Sequence, residues 1–273
     1  MIRRGRMKPT SKLYNVVGLL GTAGVLPEKD VIEMGLVTKR TLNRYRKDAI
    51  LDVIPTPPLI REELDPKQLW ALGPVGLQLA KIQFDLVPTG YLESKIDNVS
   101  HDVLCNCLYT QLYKATKNTF YTAILWNRYE VSLKDYKGIP YLQPDGMITL
   151  KGNGKVGHFL LEYHNEDWGG RASEKIKKYE DVRSSYTKVD WESQWQLPKF
   201  PPILVVARHK AVIKGYNEGI EGRAMLSNTY LINLLDNVLG DIGKKKGLGH
   251  PMTWHNLRKN ELVSLEDYMY ADS

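Results

Sequence analysis

The sequence predicts a mixed α/β protein in two parts, and three observations support this fold class. Residues at about 10–90 show three short helical patterns followed by two strand patterns. Residues at about 98–215 show the order α-β-β-β-α-β, which is typical of a mixed sheet covered by helices on both sides. The chain has 273 residues, whereas single domains usually contain about 100–200 residues. We therefore predict an N-terminal helical domain with a hairpin, a second α+β domain and a helical extension over 216–273.

The first predicted domain combines short helices with a hairpin. Apolar residues recur at helical spacing in three segments, at 11–20, 28–34 and 39–48. Pro27 begins the second helix, Gly35 ends it, and Thr38 is the predicted N-cap of the third. An extended stretch is expected next at 51–60, followed by a polar turn at 62–65. A second extended stretch is expected at 68–72 and a short helix at 73–81. A helix-turn-helix followed by a hairpin and a helix is the order of a winged helix, which we predict here.

The third helix has the composition of a helix that recognises DNA. Leu42 faces inward together with Tyr45 or Ala49, and the remaining positions are polar. Arg and Lys bind phosphates, while Arg and Asn side chains can address guanine and adenine edges in the major groove. The predicted DNA contacts are Thr38, Lys39, Arg40, Asn43, Arg44, Arg46 and Lys47. The alternative is a small helical domain that binds a protein partner.

The net charge of the chain lies at this same end. The formal net charge is +7, and residues 1–50 contain eleven basic and four acidic side chains, an excess equal to the whole net charge. The remaining residues contain as many basic as acidic side chains. This asymmetry predicts an anionic partner, with nucleic acid as the first candidate. A solvated basic tail next to a charged helix is the alternative interpretation.

The cysteines and the apolar segments predict a cytoplasmic protein. Cys105 and Cys107 would point about 200° apart on a helix, so we expect them to pack in the core rather than share a metal. A chain with two cysteines and no disulfide framework is typical of a reducing compartment. The sequence contains no apolar stretch of 18 residues or more, so we expect no membrane partner, and we expect no secretory signal.

The second predicted domain contains an acidic pair on a hairpin. Its helices and strands are expected at 101–115, 120–126, 142–150, 156–163, 172–186 and 202–207. If paired residue numbers in the central hairpin sum to 307, Asp145 lies opposite Glu162, with about 5 Å between their Cβ atoms. His164 would share their face, since side chains alternate along a strand. Two such carboxylates suit Mg²⁺ or Mn²⁺. A slip of one residue would separate them, and solvated surface charges are the alternative.

Short motifs in this region carry a resemblance to known families. Pro144-Asp145, followed after the hairpin by Glu162-Tyr163-His164, resembles the Pro-Asp…(Asp/Glu)-x-Lys pattern of restriction-endonuclease-like nucleases. Along about 200 residues, the order and spacing of motifs is also similar to the replication-relaxation family of bacterial plasmid and mobile-element proteins. The motifs that match are Ala71-Leu72-Gly73-Pro74-Val75-Gly76, His101-Asp102-Val103, Pro144-Asp145-Gly146, Phe159-Leu160-Leu161-Glu162, Asp167, Lys175, Lys178-Tyr179 and Phe200-Pro201-Pro202-Ile203-Leu204-Val205-Val206.

The resemblance implies a winged helix that recognises double-stranded plasmid DNA, joined to a restriction-endonuclease-like domain. The implied activity is metal-dependent nicking in plasmid replication or mobilisation. Asp145 and Glu162 would be catalytic and would hold Mg²⁺ or Mn²⁺, while His164 or Lys175 would assist the attacking water. His164 replaces the lysine of the nuclease pattern, and Lys175, one helix later, is the candidate for the missing cation. A helicase or other replication proteins and a second copy of the chain are the implied further partners.

Two other hypotheses stay open at this point. The first is a non-enzymatic origin-binding or regulatory protein with a degenerate nuclease-like domain. The second is a protein-interaction adaptor without affinity for DNA. Salt-dependent DNA binding separates the adaptor from the other two, and strand cleavage separates the enzyme from the regulator.

Overall fold

The computed structural model describes residues 10–84, 96–184, 188–221, 227–240 and 253–272. Over these residues the protein is a mixed α/β structure, and it divides into two compact units, Met1–Val103 and Leu104–Ser273. Residues 85–90, at the end of the first expected domain, lie outside the described residues. Within the described part, no helix combines the length and the apolar character needed to cross a membrane.

The first unit consists of short helices and a three-stranded antiparallel sheet. Its helices are α1 (Ser11–Ala23), α2 (Glu28–Met34), α3 (Lys39–Lys47), α4 (Pro58–Leu64) and α5 (Pro74–Phe84). Its strands are β1 (Val25–Pro27), β2 (Leu51–Ile54) and β3 (Leu69–Leu72), in the order β1-β3-β2. The three predicted N-terminal helices are confirmed. The Thr38 hydroxyl caps α3 by accepting a hydrogen bond from the Thr41 N–H, and Leu42 and Tyr45 are buried beneath it.

The connection between β2 and β3 differs from the prediction. A polar turn at 62–65 was expected, but most of this connection folds as helix α4. Pro58 begins the helix at a position where the missing N–H of proline is tolerated, and Ile60 is fully buried. Asp65 ends the helix with a left-handed φ of 41°. The first extended stretch accordingly ends at Ile54 rather than at residue 60.

The second unit is built around an eight-stranded mixed sheet. Its helices are α6 (Ile96–Thr116), which begins in the first unit, α7 (Gly170–Ser184), α8 (Trp191–Trp195), α9 (Lys210–Glu221) and α10 (Leu235–Gly240). Its strands are β4 (Tyr121–Asn127), β5 (Leu133–Lys134), β6 (Pro140–Leu142), β7 (Gly146–Gly152), β8 (Lys155–His164), β9 (Ile203–Ala207), β10 (Tyr230–Leu234), β11 (Thr253–Asn256), β12 (Glu261–Ser264) and β13 (Tyr270–Ala271).

The order of strands in the large sheet is β12-β11-β10-β9-β8-β7-β4, and β13 also pairs with β8. Strands β4, β7 and β8 are antiparallel neighbours, whereas β8, β9 and β10 run parallel. The predicted order α-β-β-β-α-β is therefore present as α6-β4-β7-β8-α7-β9. Strand β9 is buried along its whole length, as its apolar sequence predicts.

The register of the β7–β8 hairpin confirms the predicted pairing. Gly146 pairs with Leu161 and Gly152 pairs with Lys155, so the paired residue numbers sum to 307 throughout. The two-residue turn explains this register, because Asn153 and Gly154 have φ values of 53° and 67°. Two positive φ values in succession are the geometry of a tight hairpin turn that matches the twist of its strands.

The prediction of a helical extension over 216–273 is wrong. Described residues of this segment supply β10, β11, β12 and β13 to the large sheet, and helix is limited to α10 and the end of α9, apart from a short 3₁₀ turn at Leu265–Tyr268. The apolar run that begins at Tyr230 is compatible with either structure, because five apolar residues show no decisive period. Parallel pairing with β9 makes Tyr230–Leu234 a strand, and the helix is limited to Leu235–Gly240.

Helix α6 carries both cysteines, and the prediction of core packing is confirmed. Cys105 and Cys107 are both buried. The predicted apolar stripe of this helix is buried with them, at Val103, Leu104, Leu108 and Leu112.

Candidate active site

Asp145 lies directly before β7 and is held against β8 on either side of Glu162. Its N–H donates to the Leu161 carbonyl oxygen at 2.9 Å, and its Oδ2 accepts from the Tyr163 N–H at 2.8 Å. Leu161 and Tyr163 flank Glu162 in β8, so these two hydrogen bonds bracket it. The structure therefore brings together the two carboxylates that the sequence predicts on one face of the hairpin.

Helix α7 supplies two partners for the Glu162 carboxylate. The Lys175 Nζ donates to Oε2 at 2.6 Å, and the Tyr179 hydroxyl donates to Oε1 at 2.5 Å. Lys175 and Tyr179 are four residues apart and therefore lie on the same face of the helix. Glu162 and Tyr179 are completely buried, whereas the Lys175 side chain is 28% exposed and Asp145 is partly exposed. The site thus contains one buried carboxylate, Glu162, and two partly exposed groups, Lys175 and Asp145.

Burial and charge act in opposite directions on the groups of this site. Burial lowers the pKa of Lys175, but the Glu162 and Asp145 carboxylates raise it, and the net pKa lies above its ordinary value. Burial raises the pKa of Glu162, Lys175 lowers it and Asp145 raises it again, so its net pKa is also above the ordinary value. Burial and then Glu162 raise the pKa of Tyr179 well above its ordinary value. Lys175 is therefore held as an ammonium and Tyr179 as a hydrogen-bond donor.

Two carboxyl groups, Asp145 and Glu162, are the groups at this site that a hard divalent cation would use, although both oxygens of Glu162 already accept hydrogen bonds. Mg²⁺ is commonly held by one or two carboxylates and keeps several of its waters. Across the described ranges, no group of three or more His, Cys, Asp and Glu side chains is placed to hold a metal ion. Asp145 and Glu162 would thus be the protein ligands, with water completing the coordination.

His164 has partners other than the acidic pair. Its Nε2 lies 3.0 Å from the Tyr216 hydroxyl oxygen, and its Nδ1 lies 3.2 Å from Glu166 Oε1. The ring is buried and packs edge-on against the Tyr216 ring, with 5.5 Å between the ring centroids. With hydrogen-bond partners at both ring nitrogens, His164 connects β8 to α9 and to the loop that follows β8. The predicted role of His164 or Lys175 in assisting an attacking water stays a prediction.

Glu166 makes the stability of this region sensitive to acid. Burial raises the pKa of Glu166, but the hydrogen bond with His164 and the charges of His164 and Arg171 lower it more strongly, to about 2 from an ordinary 4.5. A carboxyl group whose pKa is lowered by folding stabilises the protein above its ordinary pKa, and this contribution is lost as the pH falls towards the lowered pKa.

We expect Glu166→Gln to reduce the free energy of unfolding at about pH 6, with the difference from wild type shrinking as the pH falls to about 3. Urea unfolding at several pH values measures this directly. Glu218→Gln removes a carboxylate from an exposed ion pair with Lys214 on α9 and is the matched control. A difference between Glu166→Gln and wild type that does not change with pH would contradict the prediction.

A second buried carboxylate holds α7 in place. Glu180 accepts hydrogen bonds from the Ser227 N–H, the Asn228 N–H, the Asn228 side-chain amide and the Tyr230 hydroxyl, at 2.7–3.2 Å. These contacts attach α7 to the start of β10. Glu180 directly follows Tyr179 in the sequence. Sequence reasoning assigned no role to Glu180. The available signal was its place beside Tyr179 on a helix whose other charged residues are mostly exposed.

The predicted DNA contacts lie in the first unit, on the outer surface of α3. The side chains of Lys39, Arg40, Asn43, Arg44, Arg46 and Lys47 are exposed, as is Thr38 at the N-cap. Lys39 also pairs with the buried Glu28 of α2 at 3.1 Å, so part of its charge is already compensated. The Arg44 guanidinium lies 5.4 Å from the centre of the Tyr45 ring.

Comparison of this chain with protein-family models, with curated proteins and with solved structures finds no match. The resemblance to the replication-relaxation family therefore stays a prediction.

Proposed function

We propose that this protein binds double-stranded DNA through α3 and nicks it in a metal-dependent reaction at the Asp145–Glu162 pair. The observation that carries this proposal is the position of Lys175, whose Nζ lies 2.6 Å from the buried Glu162 carboxylate, with the Asp145 carboxylate held beside Glu162 by the Tyr163 N–H. Two carboxylates and a lysine are the groups of the nuclease pattern, and here the lysine comes from α7 instead of from β8. The order α6-β4-β7-β8-α7-β9 supports a restriction-endonuclease-like fold.

Each group of the site has a role that its environment supports. Asp145 and Glu162 would hold Mg²⁺ or Mn²⁺, which when bound stabilises charge on the scissile phosphate and lowers the pKa of a water. The Lys175 ammonium donates one hydrogen bond to Glu162, and its partial exposure lets it reach a phosphate oxygen or the attacking water. Its retained positive charge stabilises the negative charge that develops on the phosphate.

Residues on α7 position the reacting groups. The Tyr179 hydroxyl orients Oε1 of Glu162, and Glu180 anchors the helix that carries both Lys175 and Tyr179. Because Lys175 is held against Glu162 before any substrate binds, the charged groups need little rearrangement during the reaction.

The first unit supports recognition of duplex DNA by a winged helix in which α3 makes the contacts. Helices α2 and α3 form a helix-turn-helix beside an antiparallel sheet, and α3 exposes its cations. The β2–β3 connection, where a wing would lie, is the helix α4 and bears Glu62, Glu63 and Asp65. Acidic side chains there are repelled by phosphates, so α3 would provide most of the affinity.

A plasmid-nicking assay tests the proposal. We expect the wild-type chain with Mg²⁺ or Mn²⁺ to convert supercoiled plasmid to open circles, EDTA to prevent it, and Asp145→Asn to reduce the rate to background without loss of DNA binding. Asp181→Asn on α7, which alters an ion pair with Lys188 away from the acidic pair, is the matched control. Tight DNA binding without cleavage in either metal would reject the enzyme.

The second candidate function is a non-enzymatic origin-binding or regulatory protein. One observation favours it: both oxygens of the fully buried Glu162 already accept hydrogen bonds, from Lys175 and Tyr179. In that case the acidic pair would be a structural ion-pair network. The same plasmid assay separates the two functions, because the regulatory protein binds DNA and leaves it intact.

A further inference from the structure

The loop that follows β8 exposes a large aromatic side chain next to the candidate active site. Trp168 lies four residues after His164 and two residues before α7, and 57% of its surface is exposed. Of the other five tryptophans, Trp70, Trp191 and Trp254 are buried, Trp195 is partly buried and Trp126 is 38% exposed, so Trp168 is the most exposed of the six. An indole offers a large flat apolar surface, and at this position that surface is accessible to a partner.

Trp168 is exposed but firmly placed. Its indole lies against the backbone of Gly170, where a Cβ atom would overlap the ring. The neighbouring Gly169 packs against Gly215 of α9 so closely that a Cβ on Gly215 would lie 2.5 Å from the Gly169 carbonyl oxygen. Glu166 holds the other end of the loop by contacts with His164 and with Arg171, at 3.2 and 3.7 Å. Ordering this side chain on binding therefore requires little loss of conformational entropy.

Cations continue from Trp168 along α7. Arg171, with 67% of its side chain exposed, begins a row that includes Lys175 and Lys178 at helical spacing. Lys175 contacts Glu162, while Arg171 and Lys178 contact Glu166 and Glu174 and keep 67% and 46% of their side chains exposed. Sites for single-stranded nucleic acids are built from aromatic side chains on which bases stack, combined with cations that follow the phosphates.

We propose that Trp168 is a stacking platform for an unpaired base, so that the Asp145–Glu162 site takes a single-stranded or locally unpaired stretch of DNA. The base faces inside an intact duplex are covered by their neighbours, and an indole can stack only on a base that has left the stack. The placement of a DNA strand at this site rests on the proposed function. The row of cations favours a nucleic acid over an apolar peptide as the occupant of the indole.

The test measures binding of single strands and duplexes by the full-length chain carrying Arg40→Ala and Arg44→Ala, which weaken the contribution of α3. In this background we expect Trp168→Ala to weaken binding of a fluorescein-labelled single strand of about twelve nucleotides by about tenfold, measured by anisotropy in EDTA. Trp168→Phe should retain most of the affinity, and duplex binding should not change. Tyr136→Ala removes an aromatic side chain that is 80% exposed in the β5–β6 loop, and should have no effect.

Unchanged single-strand affinity in Trp168→Ala, or an equal loss on duplex and single strand, would overturn the inference. So would wild-type protein that does not bind the single strand. A plasmid with an unpaired bubble distinguishes this result from failure of the proposed function. Trp168-dependent binding of the bubble without cleavage would retain the stacking platform and reject the enzyme. Cleavage of intact duplex at the same rate in wild type and Trp168→Ala would retain the enzyme and reject the stacking platform.

Discussion

Lys175→Met is expected to remove nicking activity and to destabilise the protein. Methionine has a similar length but no charge, so Glu162 would stay buried without its cation. Removing one partner of a buried ion pair costs about 3–5 kcal/mol, and we expect about 2–3 kcal/mol here because Lys175 is 28% exposed. Loss of a charge that stabilises the transition state typically lowers the rate by about 100- to 1,000-fold. Urea unfolding and the plasmid assay measure the two effects separately.

A double variant tests whether the loss of stability comes from a buried charge without a partner. Glu162→Gln combined with Lys175→Met removes both charges, and an amide oxygen can still accept the Tyr179 hydroxyl hydrogen bond. We expect the double variant to recover most of the lost stability, because no buried charge is left without a partner, while nicking stays absent. Lys175→Arg keeps the charge and is the matched control. Lys175→Met protein that nicks at the wild-type rate would exclude the catalytic role.

The second large effect is expected on α3. Arg40 and Arg44 are exposed and one helical turn apart, so they can contact the same stretch of DNA. We expect Arg40→Ala/Arg44→Ala to weaken duplex binding by about 100-fold, since each arginine contact contributes about 1–3 kcal/mol. Each lost phosphate contact should also reduce the slope of log affinity against log salt by about 0.9. Fluorescence anisotropy with a labelled duplex, measured across a range of salt concentrations, gives both quantities.

The control for this prediction removes the same charge from elsewhere in the first unit. Lys67→Ala/Lys81→Ala changes two exposed lysines that lie outside α3. If binding requires α3, this control should keep most of the affinity. Equal losses in the two double variants would indicate attraction by overall charge alone. A wild-type affinity that does not depend on salt would support the protein-interaction adaptor instead.

The acidic pair illustrates how far local sequence patterns can predict a site. The glycine-rich turn was enough to predict the register of β7 and β8, which brings Asp145 close to Glu162, because a tight turn is a property of neighbouring residues. The partners of the Glu162 carboxylate were harder to predict from the sequence. Lys175 was a candidate only through the resemblance, and nothing local indicated that Tyr179 would donate to the same carboxylate.

Local pattern failed where pairing over long distances decided the structure. The run that begins at Tyr230 became a strand because β9 lies parallel to it, and residues 253–271 added further strands to the same sheet. The β2–β3 connection became the helix α4 because Ile60 is buried against the first unit while its polar neighbours stay exposed. In both cases packing against distant residues outweighed the weak preference of a short segment.

The sequence by itself determined the mixed α/β class, helices α1, α2, α3 and α5 of the first unit, the exposed cations of α3 and the register of the β7–β8 hairpin. These features depend on helical and strand periods, caps and a tight turn, which act over a few residues. The tertiary structure alone decided that α7 brings Lys175 and Tyr179 to Glu162, that Tyr216 and Glu166 contact His164, and that Trp168 is exposed. These contacts depend on how helices and loops pack over the sheet, which no short segment encodes.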